Sequence, residues 1–473
     1  MRRIPGNESS VGASESDQKR TPTAAMEYRS RKERLLAAFE QAAAAGREVR
    51  LRKSTSNLFR NRASGLDRNL DVRDFDHVIE INTDEGWADV EGMTPYEAAV
   101  DVLLPHGFVP AVVPELKSIT VGGAISGGGI ESSSFRYGFV HETVIEMEIL
   151  TGSGECILCR PDNEHRALFF GFPCSYGSLG YCLRARIRIV PTKPFVHLQH
   201  RRYTEIDPFF RDIERLCREN LADGAPVAFI DGSVFSPQEL FLTTGEWADH
   251  APRVSDYSGM NIYHRSIREN GKDWLTARGY LWRWDADWFW CSRAFGAENR
   301  FVRRLYHHLG MLRSTTYWKI KSIVQRSGLL RLLGKERNTE YVIQDVEIPV
   351  TRAPEFLRFM FDEVGLLPIW ICPAASPDPS ARFSLYPTDP NELYINFGFW
   401  GGVRSDHSPG YYDRLIESKV SALAGNKSLY STSYFDRKTF DELYNGPAYR
   451  ELKERYDPDH RFLDRYEKCV RGR

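Results

Sequence analysis

The reading of one stretch decides the fold: Thr120-Val121-Gly122-Gly123-Ala124-Ile125-Ser126-Gly127-Gly128-Gly129-Ile130-Glu131-Ser132-Ser133-Ser134, preceded by Pro114-Glu115-Leu116. Five glycines fall in the eight residues from Gly122 to Gly129, removing side chains where a backbone must approach something closely. Successive backbone N–H groups in such a turn form an anion-binding concavity, and the neighbouring Ser and Thr hydroxyls add donors. A diphosphate is the natural guest. No Gly-Lys-Ser/Thr follows, so this is not a P-loop, and the G-x-G-x-x-G spacing of a dinucleotide fingerprint is absent. A Gly-rich surface loop with no ligand remains the alternative on spacing alone.

Two further stretches share this character. Lys53-Ser54-Thr55-Ser56-Asn57 is a hydroxyl-rich loop after a short extended segment, Val49–Leu51. Tyr176-Gly177-Ser178-Leu179-Gly180 is a small-residue turn before the alternating strand Leu183–Val190. Three such loops in sequence fit a cofactor with an extended diphosphate spine better than three unrelated turns.

Between the loops the pattern predicts short elements. Ala25–Ala45 reads as a helix stopped by Gly46. Val78–Ile81 and Trp87–Val90 read as strands about a turn at Asn82–Gly86. Thr94–Leu104 reads as a helix with Pro95 in its first turn and a Thr94/Glu97 capping box. Strands follow at Thr143–Leu150 and Glu155–Leu158, and a short helix at Asn163–Phe169. Beyond Pro194, Tyr341–Pro349, Pro368–Cys372 and Glu392–Phe397 read as buried strands, and Asp436–Val470 as mostly helical.

Composition sets the outer bounds. The 473 residues suit two or three domains. With 42 % apolar and 27 % charged residues the chain is neither disordered throughout nor fibrous. Lys+Arg (63) balances Asp+Glu (64), so no global basic field favours nucleic acid. Eight cysteines in so long a chain are not a disulfide framework. The lone C-x-x-C, Cys156 and Cys159, lies in a strand that would point the two thiols to opposite faces. Free thiols in a reducing cytosol and no metal site are expected. The polar first 25 residues do not read as a signal peptide. The longest greasy region, Ala98–Pro114, is interrupted by Asp101, Pro105, His106 and Pro110 and is not expected to span a bilayer. Aromatic residues make up 12 %, and four tryptophans, Trp282, Trp284, Trp288 and Trp290, crowd into one segment. That segment is either packed core or the wall of a pocket for a flat or greasy ligand.

The order of these loops resembles the FAD-binding domain of the vanillyl-alcohol oxidase and p-cresol methylhydroxylase (PCMH) type, and the match tightens to its Δ24-sterol reductase branch. Thr120-Val121-Gly122-Gly123, Gly129-Ile130-Glu131-Ser132-Ser133-Ser134 and Tyr137-Gly138 are similar to that branch's flavin loop. Gly177-Ser178-Leu179-Gly180 with Ile187-Arg188-Ile189 is similar to its second flavin stretch. Gln344-Asp345 with Ile348-Pro349, Pro368 to Pro373, and Glu392 to Ile395 resemble its substrate-domain strands, and Tyr430 with Tyr444-Asn445-Gly446 its C-terminal segment. The likeness covers about residues 50 to 470.

The resemblance implies an α+β fold with a two-subdomain PCMH-type FAD-binding domain and an α/β substrate, or cap, domain. The expected divisions are a disordered tail over residues 1–25, the flavin domain over 26–192, and the substrate domain over 193–473, whose segment 425–473 returns toward the flavin. It implies FAD contacts at Lys53, Ser54, Thr55, Ser56, Asn57, Pro114, Glu115, Thr120, Val121, Gly122, Gly123, Ser126, Gly127, Gly129, Ile130, Glu131, Ser132, Ser133, Ser178 and Gly180. Several relatives hold the flavin covalently through a His or Cys near this loop; Gly129–Ser134 contains neither, so non-covalent FAD is expected. Animal members of the branch carry an N-terminal anchor that this chain lacks, and the Trp-rich segment looks more like a bacterial sub-branch acting on acyl chains of lipids.

The implied reaction is reduction of an isolated C=C bond, by hydride from flavin N5 and a proton from the protein. Because an unactivated alkene accepts hydride poorly, a proton donor must be held close in a dry pocket. The candidate donors are Tyr430, favoured, with Glu392, His141, Asp345 and Tyr394. Ser433 stands where some relatives place a Lys used in oxidase chemistry. Trp284, Trp288, Trp290 and Trp370 are the candidate substrate wall, and Arg283, Arg293, Arg300, Arg303 and Arg304 candidate holders of lipid headgroups. NADPH or a separate reductase would supply electrons, and a lipid methyltransferase is a candidate partner. The expected location is cytoplasmic, with peripheral contact at the inner face of the membrane. The competing readings are an FAD-dependent alcohol oxidase or dehydrogenase of the same fold, and a flavin-binding partner of the methyltransferase without turnover.

Overall fold

The computed structural model describes residues 23–46, 48–55, 59, 69–222, 224–327 and 339–472, with only the backbone for 321–327. Ser56, Asn57 and nearly all of the expected N-terminal tail lie outside the described residues.

Two antiparallel sheets organise the chain. A short parallel pair, β1 (Leu51–Arg52) and β2 (Leu70–Asp71), precedes the first sheet. That sheet comprises β3 (Val78–Asn82), β4 (Trp87–Glu91), β5 (Phe108–Pro110), β6 (Val144–Leu150), β7 (Cys156–Cys159) and β8 (Tyr181–Pro191), in the order β3-β4-β8-β6-β7 with β5 also paired to β8. The central strand β8 shows why the alternation pattern works. Leu183, Ala185, Ile187 and Ile189 are buried on one face. On the other, Arg184 donates to Asp89 and Glu146 at 2.7 Å each, and Arg186 to Asp89 at 2.9 Å, linking β8 to both neighbours.

The second sheet begins three residues later with β9 (Phe195–Tyr203). A two-residue hairpin, β10 (Leu221–Ala222) and β11 (Ala225–Pro226), leads into β12 (Phe229–Ser236), β13 (Glu239–Ala248), β14 (Lys272–Thr276), β15 (Thr339–Pro349), β16 (Ile369–Ala375), β17 (Leu393–Arg404) and β18 (Asn426–Lys427). Its eight strands run β14-β9-β13-β12-β16-β17-β15-β18, every ladder antiparallel. The fold is α+β. The C-terminal helices leave this sheet and pack back on the first: Lys453 Nζ donates to the Ser178 carbonyl at 2.8 Å, and the Val49 N–H donates to the Arg461 carbonyl at 2.9 Å. One apolar core runs from Ala88 and Val90 of the first sheet to Trp370 and Cys372 of the second.

The Gly-rich stretch is not an open loop. Val121–Gly127 is a helix, capped by Thr120, whose Oγ1 accepts from the Gly123 N–H at 3.2 Å, and ended by Gly128 in the left-handed region at φ +75°. Each glycine costs such a helix about 1 kcal/mol relative to Ala. Close packing explains their presence: a Cβ on Gly92 would lie 1.9 Å from the Cys182 carbonyl oxygen, and one on Gly122 2.8 Å from that of Gly92. The glycines let the helix lie directly on the β4–β8 region.

The Thr94/Glu97 capping box does not form. The helix runs Tyr96–Leu103 with Pro95 at its cap and no side-chain cap bond. Thr94 Oγ1 donates instead to the His77 carbonyl, and Glu97 pairs with Lys117 and Arg278. Long-range partners outcompete the local motif. Cys156 and Cys159 are both free thiols, and burial pushes the Cys156 thiol up to about 12. Among the described residues no helix is long and apolar enough to cross a membrane.

Candidate active site: three loops, a tyrosine and an aromatic chamber

The Gly-rich run and the third of the loops expected to share a cofactor converge on residue 429. Tyr176 is the staple. Its N–H donates to the Ser126 carbonyl at 2.9 Å and its hydroxyl to that of Gly127 at 3.1 Å, while the same hydroxyl accepts from the Leu429 N–H at 2.7 Å. Phe59, two residues beyond the expected first loop, also reaches this segment: its N–H donates to the Tyr430 carbonyl at 2.9 Å. Lys468 Nζ, at 3.2 Å from the Gly177 carbonyl, fastens the third loop to the C-terminal segment.

Tyr430 stands at this junction. Its hydroxyl donates to Asp345 Oδ2 at 2.6 Å and accepts from the Trp400 indole N–H at 2.9 Å. Asn396 donates to the other Asp345 oxygen at 2.9 Å. Asp345 on β15 faces Gly398 on β17, where a Cβ would lie 2.6 Å from Asp345 Oδ1; the glycine makes room for the carboxyl. Burial raises Asp345 to about 6, against the hydrogen bonds from Tyr430 and Asn396. Burial, and then the charge of Asp345, hold the Tyr430 phenol far above its usual range. Two residues along the same face of β15, Glu347 accepts from the Tyr386 hydroxyl, and burial raises its carboxyl to about 8. Two protonatable carboxyls therefore stand in line behind one phenol.

Aromatic rings wall this group in. Phe59 stacks on Trp288 at 5.7 Å and meets Trp318 and Tyr430 edge-on at 4.9 and 5.6 Å. Phe289 contacts Trp284, Trp370 and Trp400 at 4.8, 5.4 and 4.5 Å, and Trp290 meets Trp400 at 5.7 Å. All four proposed wall residues, Trp284, Trp288, Trp290 and Trp370, are buried in one aromatic cluster with Trp400. Trp288 and Phe289 hold left-handed backbones, φ +44° and +60°, which non-glycine residues adopt at a cost of order 1–3 kcal/mol each and which cluster at functional sites.

A second polar node lies beneath. Arg283 is buried and reaches three buried carboxyls: Asp231 at 2.9 Å, Glu131 at 3.0 Å and Glu115 at 3.8 Å. Glu131 also accepts from the N–H and hydroxyl of Ser132. One guanidinium cannot balance three carboxylates in a dry site. Burial drives Glu115 well up, helped by the Glu131 charge, and burial also raises Asp231. Arg283 is thus no headgroup holder, and neither is Arg303, which is buried against Asp287 at 2.6 Å. Arg293, Arg300 and Arg304 are exposed.

The remaining candidates divide. Ser54 and Thr55 follow β1, and Ser178 and Gly180 lie in the stapled third loop. The N–H groups of Val121, Gly122, Gly123 and Ala124 bond to Thr94 O, Gly92 O, Thr120 Oγ1 and Thr120 O, so the start of the Gly-rich run directs its backbone donors into the fold. Ser133 Oγ donates to the Ala111 carbonyl at 2.8 Å, just before Pro114. Ile130 packs against the apolar cluster that holds Tyr176 and Leu429, and Gly129 lies beside Pro114. His141 lies apart between Phe139 and Phe383, and burial drops it to about 3, so it stays neutral at working pH. Glu392 precedes β17, six residues and so about 20 Å of strand from Gly398, and Tyr394 accepts from the Asp389 N–H in the same turn. A cavity of about 170 Å³ beside His200 and Arg215 includes none of these residues. Sequence reading placed Tyr176 in the third loop without foreseeing its role as a staple, and missed Phe59, Asp231, Trp318, Asn396 and Trp400, which sit in no motif.

Residues 24–160 match the FAD binding domain family. The Delta(24)-sterol reductase of Homo sapiens is 27 % identical over 417 residues, covering 84 % of this chain and 76 % of that protein. The Delta(24)-sterol reductase of Arabidopsis thaliana is 26 % identical over 85 % of this chain and 77 % of its own. Cytokinin dehydrogenase 10 of Oryza sativa subsp. japonica is 34 % identical over 158 residues, 33 % of this chain and 28 % of that protein. The fold and these matches define the class: an FAD-dependent oxidoreductase with a PCMH-type FAD-binding domain. Within that class the chain is similar, over most of its length, to the Delta(24)-sterol reductases.

The residues present fit FAD. The Gly-rich run and the third loop meet at Leu429, and Ser175 Oγ, just before the third loop, is buried without a partner among the described residues, as a donor awaiting a ligand would be. The Ser54–Thr55 segment, the Ser126–Ile130 end of the Gly-rich helix and the Ser175–Gly180 turn would hold the cofactor.

Proposed function

We propose that the protein reduces an isolated C=C bond of a lipid or sterol-like substrate, with Tyr430 as the proton donor. The observation that carries this reading is the Tyr430 hydroxyl fixed between Asp345 and the Trp400 indole, beside the Gly-rich and third loops and against a cluster of aromatic rings. Bound and reduced FAD would supply the hydride. The chain supplies the rest. When Asp345 is protonated the 2.6 Å bond reverses and its carboxyl donates to the phenol oxygen, freeing the phenol proton. Tyr430 then passes that proton to one alkene carbon as the other takes the hydride, Asp345 replacing it in the same step, and solvent reloads Asp345. The tryptophan walls exclude water and hold a flat or branched apolar substrate. Reduced nicotinamide dinucleotide or a separate reductase would return two electrons to the flavin.

The likeness to proteins named Delta(24)-sterol reductase supports C=C chemistry. The proposal extends to methylene-branched acyl chains left by a lipid methyltransferase, to non-covalent FAD, and to a division of the chain at about residue 192, between β8 and β9. Residues 429–430, inside the returning 425–473 segment, would meet the flavin. Such a substrate resides in a bilayer, so the protein would work at a membrane surface on the cytoplasmic side.

The test is anaerobic. NADPH or dithionite should bleach the flavin, and an unsaturated lipid should restore its colour and gain two hydrogens by mass. Bleaching by an alcohol with peroxide formed in air would instead establish an oxidase. A flavin untouched by any donor or acceptor would establish a non-catalytic partner.

A further inference from the structure

The helix Arg300–His308 carries a face that the described residues leave uncovered. Phe301 is 86 % exposed, Leu305 57 % and Leu309, at the C-cap, 60 %. Positions i, i+4 and i+8 lie on one face of a helix, so the three side chains form a stripe. Large apolar residues exposed together mark an interaction surface, whereas single ones do not.

Charge says what covers the stripe. Between Glu298 and Glu336 the sequence has no Asp or Glu; of its described cations Arg303 and Arg313 are paired with Asp287 and Glu97, which leaves Arg300, Arg304 and Lys319 to set the charge of this region. Arg300 and Arg304 each immediately precede a stripe residue, and no ion pair joins either to a carboxylate among the described residues. An apolar stripe edged by arginines complements an anionic lipid surface, where acyl chains take the apolar groups and phosphates the guanidinium groups.

The helix is also held rigidly against the candidate site. On its buried face Arg303 clamps Asp287 at 2.6 Å, one residue before Trp288. Tyr306 packs on Tyr317 at 6.4 Å, beside Trp318, which contacts Phe59 and Trp288.

We propose that Phe301, Leu305 and Leu309, with Arg300 and Arg304, dock the protein on an anionic bilayer and bring the Trp288–Trp318 side of the aromatic chamber to the membrane. The purpose of this docking rests on the lipid-substrate reading above; its geometry does not.

The test uses the full-length, flavin-loaded protein and sedimentation with vesicles free of substrate, either phosphatidylcholine alone or with phosphatidylglycerol. Wild type should bind the anionic vesicles and release in 1 M salt. The F301S/L305S/L309S variant should lose on the order of 100-fold in affinity. R300Q/R304Q should lose on the order of 30-fold, with its preference for anionic lipid weakened. Flavin content and melting temperature report that both variants are folded. Absence of wild-type binding, or a triple variant that binds as wild type does, overturns the proposal. So does a wild-type dimer that the triple variant converts to monomer with no vesicle binding, which would make the face a contact between copies. Turnover of detergent-dispersed substrate is measured in parallel: its absence with docking intact refutes the lipid-reductase reading and leaves the docking surface standing.

Discussion

Replacing Asp345 by Asn tests the proton path directly. Asn keeps the shape of the side chain and can still accept from Tyr430, but it cannot carry the relay proton. The wild-type carboxyl, raised to about 6 by burial, is protonated below that pH and ionised above it. The proton-delivery step should therefore be fastest below pH 6 and slow about tenfold for each pH unit above it, leaving roughly 1 in 100 of the carboxyls protonated at pH 8. The D345N variant should lose this pH dependence and run about 10²–10⁴-fold below the wild-type plateau, the usual contribution of a positioned acid, or about 3–5 kcal/mol of barrier. The assay is single turnover: enzyme reduced anaerobically, mixed with unsaturated lipid, and flavin reoxidation followed across pH 5 to 9 in water and in deuterium oxide. An unchanged pH limb in D345N, or a wild-type rate that rises with pH, refutes the relay. Tyr430→Phe should fall at least as far while retaining bound flavin.

Three other outcomes follow from the same geometry. Glu347, raised to about 8 from an ordinary 4.5, binds its proton more tightly folded than unfolded, so its stabilising contribution is full below about pH 4.5 and is lost as pH rises through 8. Glu347→Gln should remove that loss, matching wild type near pH 4.5 and exceeding it at pH 9 by a ceiling of about 5 kcal/mol in urea unfolding; a variant less stable at pH 9 contradicts the assignment. Arg283→Leu leaves Glu115, Glu131 and Asp231 buried without their cation and should cost about 3–5 kcal/mol, read as a lower urea midpoint; wild-type stability in this variant would show that the node holds no ion pair. Cys174, whose Sγ would lie 3.1 Å from a Cβ on Gly128, is the thiol nearest the end of the Gly-rich helix among the described contacts, and burial holds it far above its usual range, protonated and unreactive. Acid precipitation should accordingly release all the flavin into the supernatant, and flavin retained in the pellet would overturn non-covalent binding.

Much of the fold is legible where the signal is local. β8 announces itself because Leu183, Ala185, Ile187 and Ile189 alternate with arginines, and a two-residue period has one structural reading. The strand and helix positions before it shift by only a few residues. The capping box fails for a reason of distance: Thr94 and Glu97 stand at the right spacing, but His77, Lys117 and Arg278 offer them better partners in space. The Gly-rich run fails differently. Its composition points to an open cradle, whereas Gly92, thirty residues earlier, and the Cys182 carbonyl supply the surface that makes a glycine helix worth forming.

The sequence by itself determined the order of the three loops and the likeness to flavoproteins that this order carries, because each is written in contiguous residues; Tyr430 became a candidate only through that likeness. Only the tertiary structure decided what Tyr430 can do. Its partner Asp345 lies 85 residues away, and Arg283 meets Glu131 across 152. Nothing in the neighbourhood of either residue marks the pairing. Burial, which sets the carboxyls at about 6 and about 8, is a property of the packed chain, since it depends on how much water the second sheet, the aromatic rings and the returning C-terminal segment together exclude.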